Sequence, residues 1–105
     1  MGLMFYSNTP DPVAFPDALL SHLQAVIGTK LRRNESFTLS WQHSDDDPSG
    51  RSTLWIHPAM PLRFTFDRRD LDPLNPELLH KLAAEASSTA GIMIDQALIK
   101  AHQAA

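Results

Sequence analysis

The apolar spacing of this chain changes period once, near residue 36, and that change limits what it can build. Before it, Leu20, Leu23, Ile27 and Leu31 recur at intervals of three, four and four, the repeat of one stripe along an α-helix. After it, Phe37, Leu39 and Trp41 alternate with Thr38, Ser40 and Gln42, the period of a strand with one face buried. A helix and alternating strands that must cover each other's apolar sides make an α+β plan.

Punctuation residues place the remaining elements around these two. Leu3 to Tyr6 and Val13-Ala14-Phe15 are short apolar runs separated by Ser7-Asn8-Thr9-Pro10-Asp11-Pro12, which reads as two strands joined by a hairpin loop. The helix is expected to start at Asp17 as a cap and to run to about Arg33, with Lys30, Arg32 and Arg33 in its last turn, where cations complement the negative end of the helix dipole. His43 to Gly50 is a loop by composition, a second alternating strand spans about Arg51 to His57, and Pro58-Ala59-Met60-Pro61 turns the chain into a third strand carrying Leu62, Phe64 and Phe66. Asn75-Pro76-Glu77 is a helix start, followed by Leu78, Leu79, Leu82, Ala83 and Ala86, with Gly91 as a stop and Ile92-Met93-Ile94 as a short returning strand.

The expected fold is therefore a two-layer α+β sandwich of order β-β-α-β-β-β-α-β, a mainly antiparallel sheet with two helices on one face. Residues 1–94 of the 105 form a single domain, and residues 95–105 form a short C-terminal helix or tail. Leu23, Ile27, Leu39, Trp41, Leu54, Phe64, Leu79 and Leu82 are its expected core.

The absence of cysteine removes a disulfide framework, a thiolate metal site and a thiol nucleophile. That usage suits a reducing cytoplasm, the expected location. No stretch approaches the ~20 apolar residues that span a bilayer, so no membrane role is expected. The net charge of −3 supplies no global attraction for nucleic acid. Seven of the nine Lys and Arg residues, however, fall between Lys30 and Arg69, so a local basic patch remains open.

The middle strands carry the most specific inference about function. If Leu54 and Ile56 face the helices, the pleat sends Thr38, Ser40, Gln42, Thr53, Trp55, His57, Arg63 and Thr65 to the opposite face. A solvated polar face is the ordinary outcome for an antiparallel sheet. Trp55, His57 and Arg63 are nevertheless the residue types that anchor contacts, and they are the interface candidates. The alternative reading is a nucleic-acid accessory surface made of Lys30, Arg32, Arg33, Arg51 and Arg63, with a base stacked on Trp55.

Catalytic signatures are missing. There is no Gly-x-Ser-x-Gly elbow, no phosphate-cradling glycine loop and no paired-histidine helix. None of His22, His43, His57, His80 and His102 lies three or four residues from another, and Asp45-Asp46-Asp47 lacks the spacing of a calcium loop. No catalytic residue, metal ligand or cofactor is assigned.

The run Leu20-Ser21-His22-Leu23-Gln24-Ala25-Val26-Ile27-Gly28-Thr29-Lys30-Leu31-Arg32-Arg33-Asn34-Glu35-Ser36-Phe37, followed by Gly50-Arg51-Ser52-Thr53-Leu54-Trp55-Ile56-His57-Pro58-Ala59-Met60-Pro61-Leu62-Arg63-Phe64, resembles a family of small actinobacterial proteins of unknown function. The resemblance extends over about Met1 to Ile94, and the segment after Ile94 departs from it. Members of that family often carry the name ATP-dependent DNA ligase. Such a ligase needs a nucleophilic lysine in a Lys-x-Asp-Gly setting, whereas Lys30 precedes Leu31-Arg32-Arg33 and Lys81 precedes Leu82-Ala83-Ala84. The resemblance implies a compact domain with at most a DNA-related context. The expectation is a non-catalytic module that binds a second copy of itself or another protein.

Overall fold

A computed structural model describes residues 1–103 of the chain. Its elements are β1 (Gly2–Tyr6), β2 (Val13–Phe15), α1 (Asp17–Arg32), β3 (Phe37–Gln42), β4 (Arg51–Ile56), β5 (Leu62–Thr65), α2 (Pro76–Ala86), β6 (Ile92–Ile94) and α3 (Gln96–Ala101). The α+β class and the order of the first eight elements agree with the sequence. The segment left open as helix or tail contains α3, whose N-cap Asp95 accepts the Leu98 N–H at 2.7 Å; residues 104–105 of that segment lie outside the described residues.

The strands are shared between two three-stranded sheets, ordered β2-β1-β5 and β4-β3-β6. All neighbours are antiparallel except β3 and β6, which run parallel. The alternation of β5 fixes which of its sides is apolar but not its neighbour. After β4 the two prolines of Pro58–Pro61 prevent a tight hairpin, and the chain crosses to β1, where Leu3 to Tyr6 pair with Thr65 to Leu62. Ser7 N–H closes this junction on the Pro61 carbonyl at 2.9 Å.

The two sheets share one core. Met4, Val13 and Phe15 from the first, and Phe37, Leu39, Ile56, Ile92 and Ile94 from the second, join Leu19, Leu20, Leu23, Val26 and Ile27 of α1 and Leu78, Leu82 and Ala86 of α2 in a single buried cluster. Phe15 and Trp41 bridge the sheets edge-to-face, centroids 6.0 Å apart and planes at 79°, a favoured aromatic geometry. α1 packs on β1 and on α2, and α2 packs on β3 and β6. Of the expected core, Leu23, Ile27, Leu39 and Leu82 are fully buried, while Trp41, Leu54, Phe64 and Leu79 are half-buried at its rim.

The helix ends show how local chemistry sets these boundaries. Asp17 does not cap α1 but is its first residue, and its Oδ2 instead accepts the N–H groups of Asp67 and Arg68 at 3.0 and 3.1 Å. At the other end Asn34 adopts φ 60°, Asn34 N–H bonds to Leu31 O and Glu35 N–H to Lys30 O, both at 3.0 Å. That is a Schellman stop with asparagine in the left-handed position. α2 begins as expected, Asn75 Oδ1 accepting the Glu77 N–H at 2.9 Å with Pro76 at the first helical position.

Candidate functional site

The pleat of β3 and β4 builds a surface facing away from the helices. Phe37, Leu39 and Ile56 are buried on the inner side, so Thr38, Ser40 and Gln42 of β3 and Arg51, Thr53 and Trp55 of β4 occupy the outer one. Across the two strands Thr38 stands opposite Trp55, Ser40 opposite Thr53 and Gln42 opposite Arg51. Ser40 and Thr53 hydroxyls share a 2.7 Å hydrogen bond. Trp55 is 62% exposed, the most exposed large apolar side chain among the described residues.

A notch of about 310 Å³ opens beside the indole, lined by Glu35, Thr38, Ser87, Ser88 and Thr89. Its floor is tied down rather than free: the Thr38 hydroxyl donates to Ala90 O at 3.2 Å, and the Ser88 hydroxyl to Glu85 O at 2.6 Å. The Ser87-Ser88-Thr89 run after α2 carried no signal in the sequence that would place it beside Trp55. The parallel pairing of β3 with β6 brings it there.

The other two interface candidates are not equivalent to Trp55. His57 follows β4 directly and is half-buried, its carbonyl accepting the Met60 N–H at 3.1 Å. Arg63 belongs to β5 in the other sheet, with its guanidinium carbon 4.3 Å from the centre of the Phe5 ring. Its expected place beside Trp55 is thus corrected. The expectation treated Leu62 to Phe66 as a third strand of the same sheet, whereas β5 hydrogen-bonds to β1.

The cations are likewise dispersed. Lys30 is buried, its ammonium donating to Ser87 Oγ at 2.9 Å and to Glu35 Oε2 at 3.4 Å. Arg32 and Arg33 are exposed at the end of α1, Arg32 Nε reaching back to Gly28 O at 3.4 Å. Arg51 sits on β4, and Arg63 on the other sheet. Among these five, only Lys30 and Arg33 line a common depression, a largely apolar groove of about 410 Å³ between α1 and α2 that includes Val26, Leu79 and Ala83.

Of the histidines, His22 is buried and structural. Its Nε2 accepts the Asn75 N–H at 2.9 Å, which places the ring proton on Nδ1, where it faces Ala18 O. His43 supports the β3–β4 loop, with Nε2 2.7 Å from Ser52 Oγ and Nδ1 3.4 Å from Asp47. The Ser49 N–H, donated to Asp47 Oδ1 at 2.9 Å, is the main cause holding that carboxyl below its ordinary value. Among the described residues no three His, Cys, Asp or Glu side chains gather into a potential metal site, and no helix is long and apolar enough to cross a membrane.

Residues 1–97 match the family model described as Domain of unknown function (DUF7882), and the chain belongs to that family. No curated protein and no solved structure matches it.

Proposed function

We propose that this DUF7882 domain is a non-catalytic protein-interaction module whose contact surface is the outer side of β3 and β4, centred on Trp55. The observation that carries this reading is the 62% exposure of Trp55 beside a floor of hydroxyl groups already engaged with the protein itself. An indole in that position contributes little to its own core yet offers a large, rigid apolar area to another surface, and such residues dominate interface energetics. Arg51 and Gln42 on the same side supply polar contacts at its rim.

The experiment compares Trp55→Ala with wild type in two measurements, urea unfolding and association, the latter by sedimentation and by bait-dependent capture followed by mass spectrometry. The expected result is association lost while stability changes by at most about 1 kcal/mol. Several kcal/mol of lost stability with association unchanged would make the indole structural and overturn the reading.

Nucleotidyl transfer is outside this proposal. The flanks of Lys30 and Lys81 lack the Asp-Gly of an adenylated lysine, and the Lys30 ammonium is already bound to Ser87 and Glu35. Incubation with labelled ATP is expected to leave no AMP on the denatured chain; label retained at either lysine would reverse this.

A further inference from the structure

The hydrogen-bond phase of β4 determines how its open side can be used. β4 has β3 as its only strand neighbour among the described residues. His43 N–H bonds to Gly50 O at 3.0 Å, and in the continuing register Trp41 faces Ser52, Leu39 faces Leu54 and Phe37 faces Ile56. These alternate positions are the hydrogen-bonded pairs of an antiparallel ladder. The N–H and C=O groups of Arg51, Thr53 and Trp55 therefore point away from β3, along the free edge.

That edge is the longest of the four among the described residues. β4 has six residues, against three in β2, four in β5 and three in β6. Natural sheets usually blunt such an edge with proline, lysine or a bulge. The run Arg51-Ser52-Thr53-Leu54-Trp55-Ile56 contains no proline, lysine or glycine.

We infer that β4 pairs antiparallel with β4 of a second copy of this chain, Thr53 opposite Thr53 on a two-fold axis and Arg51 opposite the second copy's Trp55. The inference rests on the proposed interaction surface and names its partner. Three outward-facing residues, two apart, pair completely with their own copies in one register only, the one centred on Thr53. A shift by two residues in either direction leaves Arg51 or Trp55 without an outward-facing partner in the strand. In the centred register all six outward N–H and C=O groups of each strand are used, and the surface is self-complementary as a two-fold contact requires. Because the paired residues also share the outer side of the sheet, each Arg51 guanidinium lies next to a Trp55 indole of the other copy. A cation over an indole face is a favourable contact. Residue pairing and backbone pairing thus select the same register, and two three-stranded sheets become one of six strands.

The test uses the full chain. Sedimentation of the wild type is expected to give twice the 11.7 kDa chain mass. Thr53→Pro removes an N–H that points away from β3, so it should yield a folded monomer with unchanged far-ultraviolet dichroism. Because the chain has no cysteine, Thr53→Cys with a short bis-maleimide should give covalent dimer in high yield, and Lys81→Cys on α2 should give none. Trp55→Arg, which sets Arg against Arg51, should weaken the dimer at least tenfold, and adding Arg51→Trp should restore most of that loss. A wild type that remains monomeric at millimolar concentration overturns the pairing, while Trp55-dependent capture of another protein would leave the broader interaction reading intact. A dimer lacking the Thr53 cross-link also overturns the pairing, whatever the folding of Thr53→Pro, and places self-association elsewhere.

Discussion

His22 Nε2 accepts the backbone N–H of Asn75 at 2.9 Å, so a side chain in the first half of α1 holds the N-cap residue of α2. The bond spans 53 residues of sequence. It fixes where α2 begins against α1, and through α2 it fixes β6, whose Met93 N–H bonds to Glu85 Oε1 at 3.0 Å. His22→Ala is expected to lower stability by about 1–3 kcal/mol, because a part-buried N–H loses its acceptor. Urea unfolding measures it. A change below a few tenths of a kcal/mol would show that water replaces the imidazole without loss.

Core truncations should separate by depth. Leu23 is fully buried among α1, the sheets and α2, whereas Phe64 is half-buried at the rim of β5. Leu23→Ala should cost about 2–5 kcal/mol, and Phe64→Ala less than its type would suggest in a closed core. Equal losses in urea midpoint would mean that the rim is as tightly packed as the centre.

Helix and strand positions were legible because period alone determines which side of an element is apolar. The stripe through Leu20, Leu23 and Ile27 and the alternation through Phe37, Leu39 and Trp41 both reappear in the structure. Trp55 emerged on the outer side for the same reason, its neighbours Leu54 and Ile56 being out of phase with it. Partner choice was not legible. Nothing in Leu62 to Thr65 distinguishes a strand beside β4 from one beside β1, so the sequence alone groups Arg63 with Trp55, whereas the pairing of β5 with β1 puts them in different sheets. The burial of Lys30 was not legible either, because its inward turn depends on Ser87 and Glu35, which the fold brings to its ammonium, while Arg32 and Arg33 stay exposed.

Gly91 occupies the turn before β6 with φ +75°, and a β-carbon there would strike Thr38 Oγ1 and the Thr38 carbonyl. Gly91→Ala therefore combines left-handed backbone strain with a collision against a strand that cannot move freely. The expected loss is more than about 2 kcal/mol, above the ordinary cost of leaving a left-handed glycine site. Gly50→Ala, with open space around its β-carbon, serves as the control and should change the midpoint little.

The β3–β4 loop should respond to acid through Asp47. Its carboxyl is held below the ordinary 3.8, chiefly by the Ser49 N–H and also by His43. A folded-state value below the unfolded one stabilises the fold above the unfolded pKa, and that contribution disappears as pH falls through the folded value. Asp47→Asn keeps an oxygen acceptor for the Ser49 N–H but removes the charge. The gap in urea midpoint between wild type and variant should be constant near neutrality and close on acidification below about pH 4. A gap that widens in acid would contradict the assignment.

Lys30 distinguishes a structural cation from a binding one. Its side chain is only 10% exposed, and its ammonium donates to Ser87 Oγ at the end of α2 and to Glu35 just past the end of α1. Lys30→Met keeps most of the buried stem while removing both donations. Ser87 and the 42%-exposed Glu35 can turn to water, so the expected cost is at the lower end of about 1–3 kcal/mol for a lost charge-assisted bond. Arg32→Ala and Arg33→Ala, altering exposed side chains, should stay within about 0.5 kcal/mol of wild type. Retention on a DNA column at low salt provides the second readout. If the buried ammonium is structural, Lys30→Met shifts the unfolding midpoint and leaves retention as the wild type shows it. A variant that unfolds like wild type but loses retention would identify Lys30 as a phosphate contact and move the functional surface from Trp55 to the end of α1.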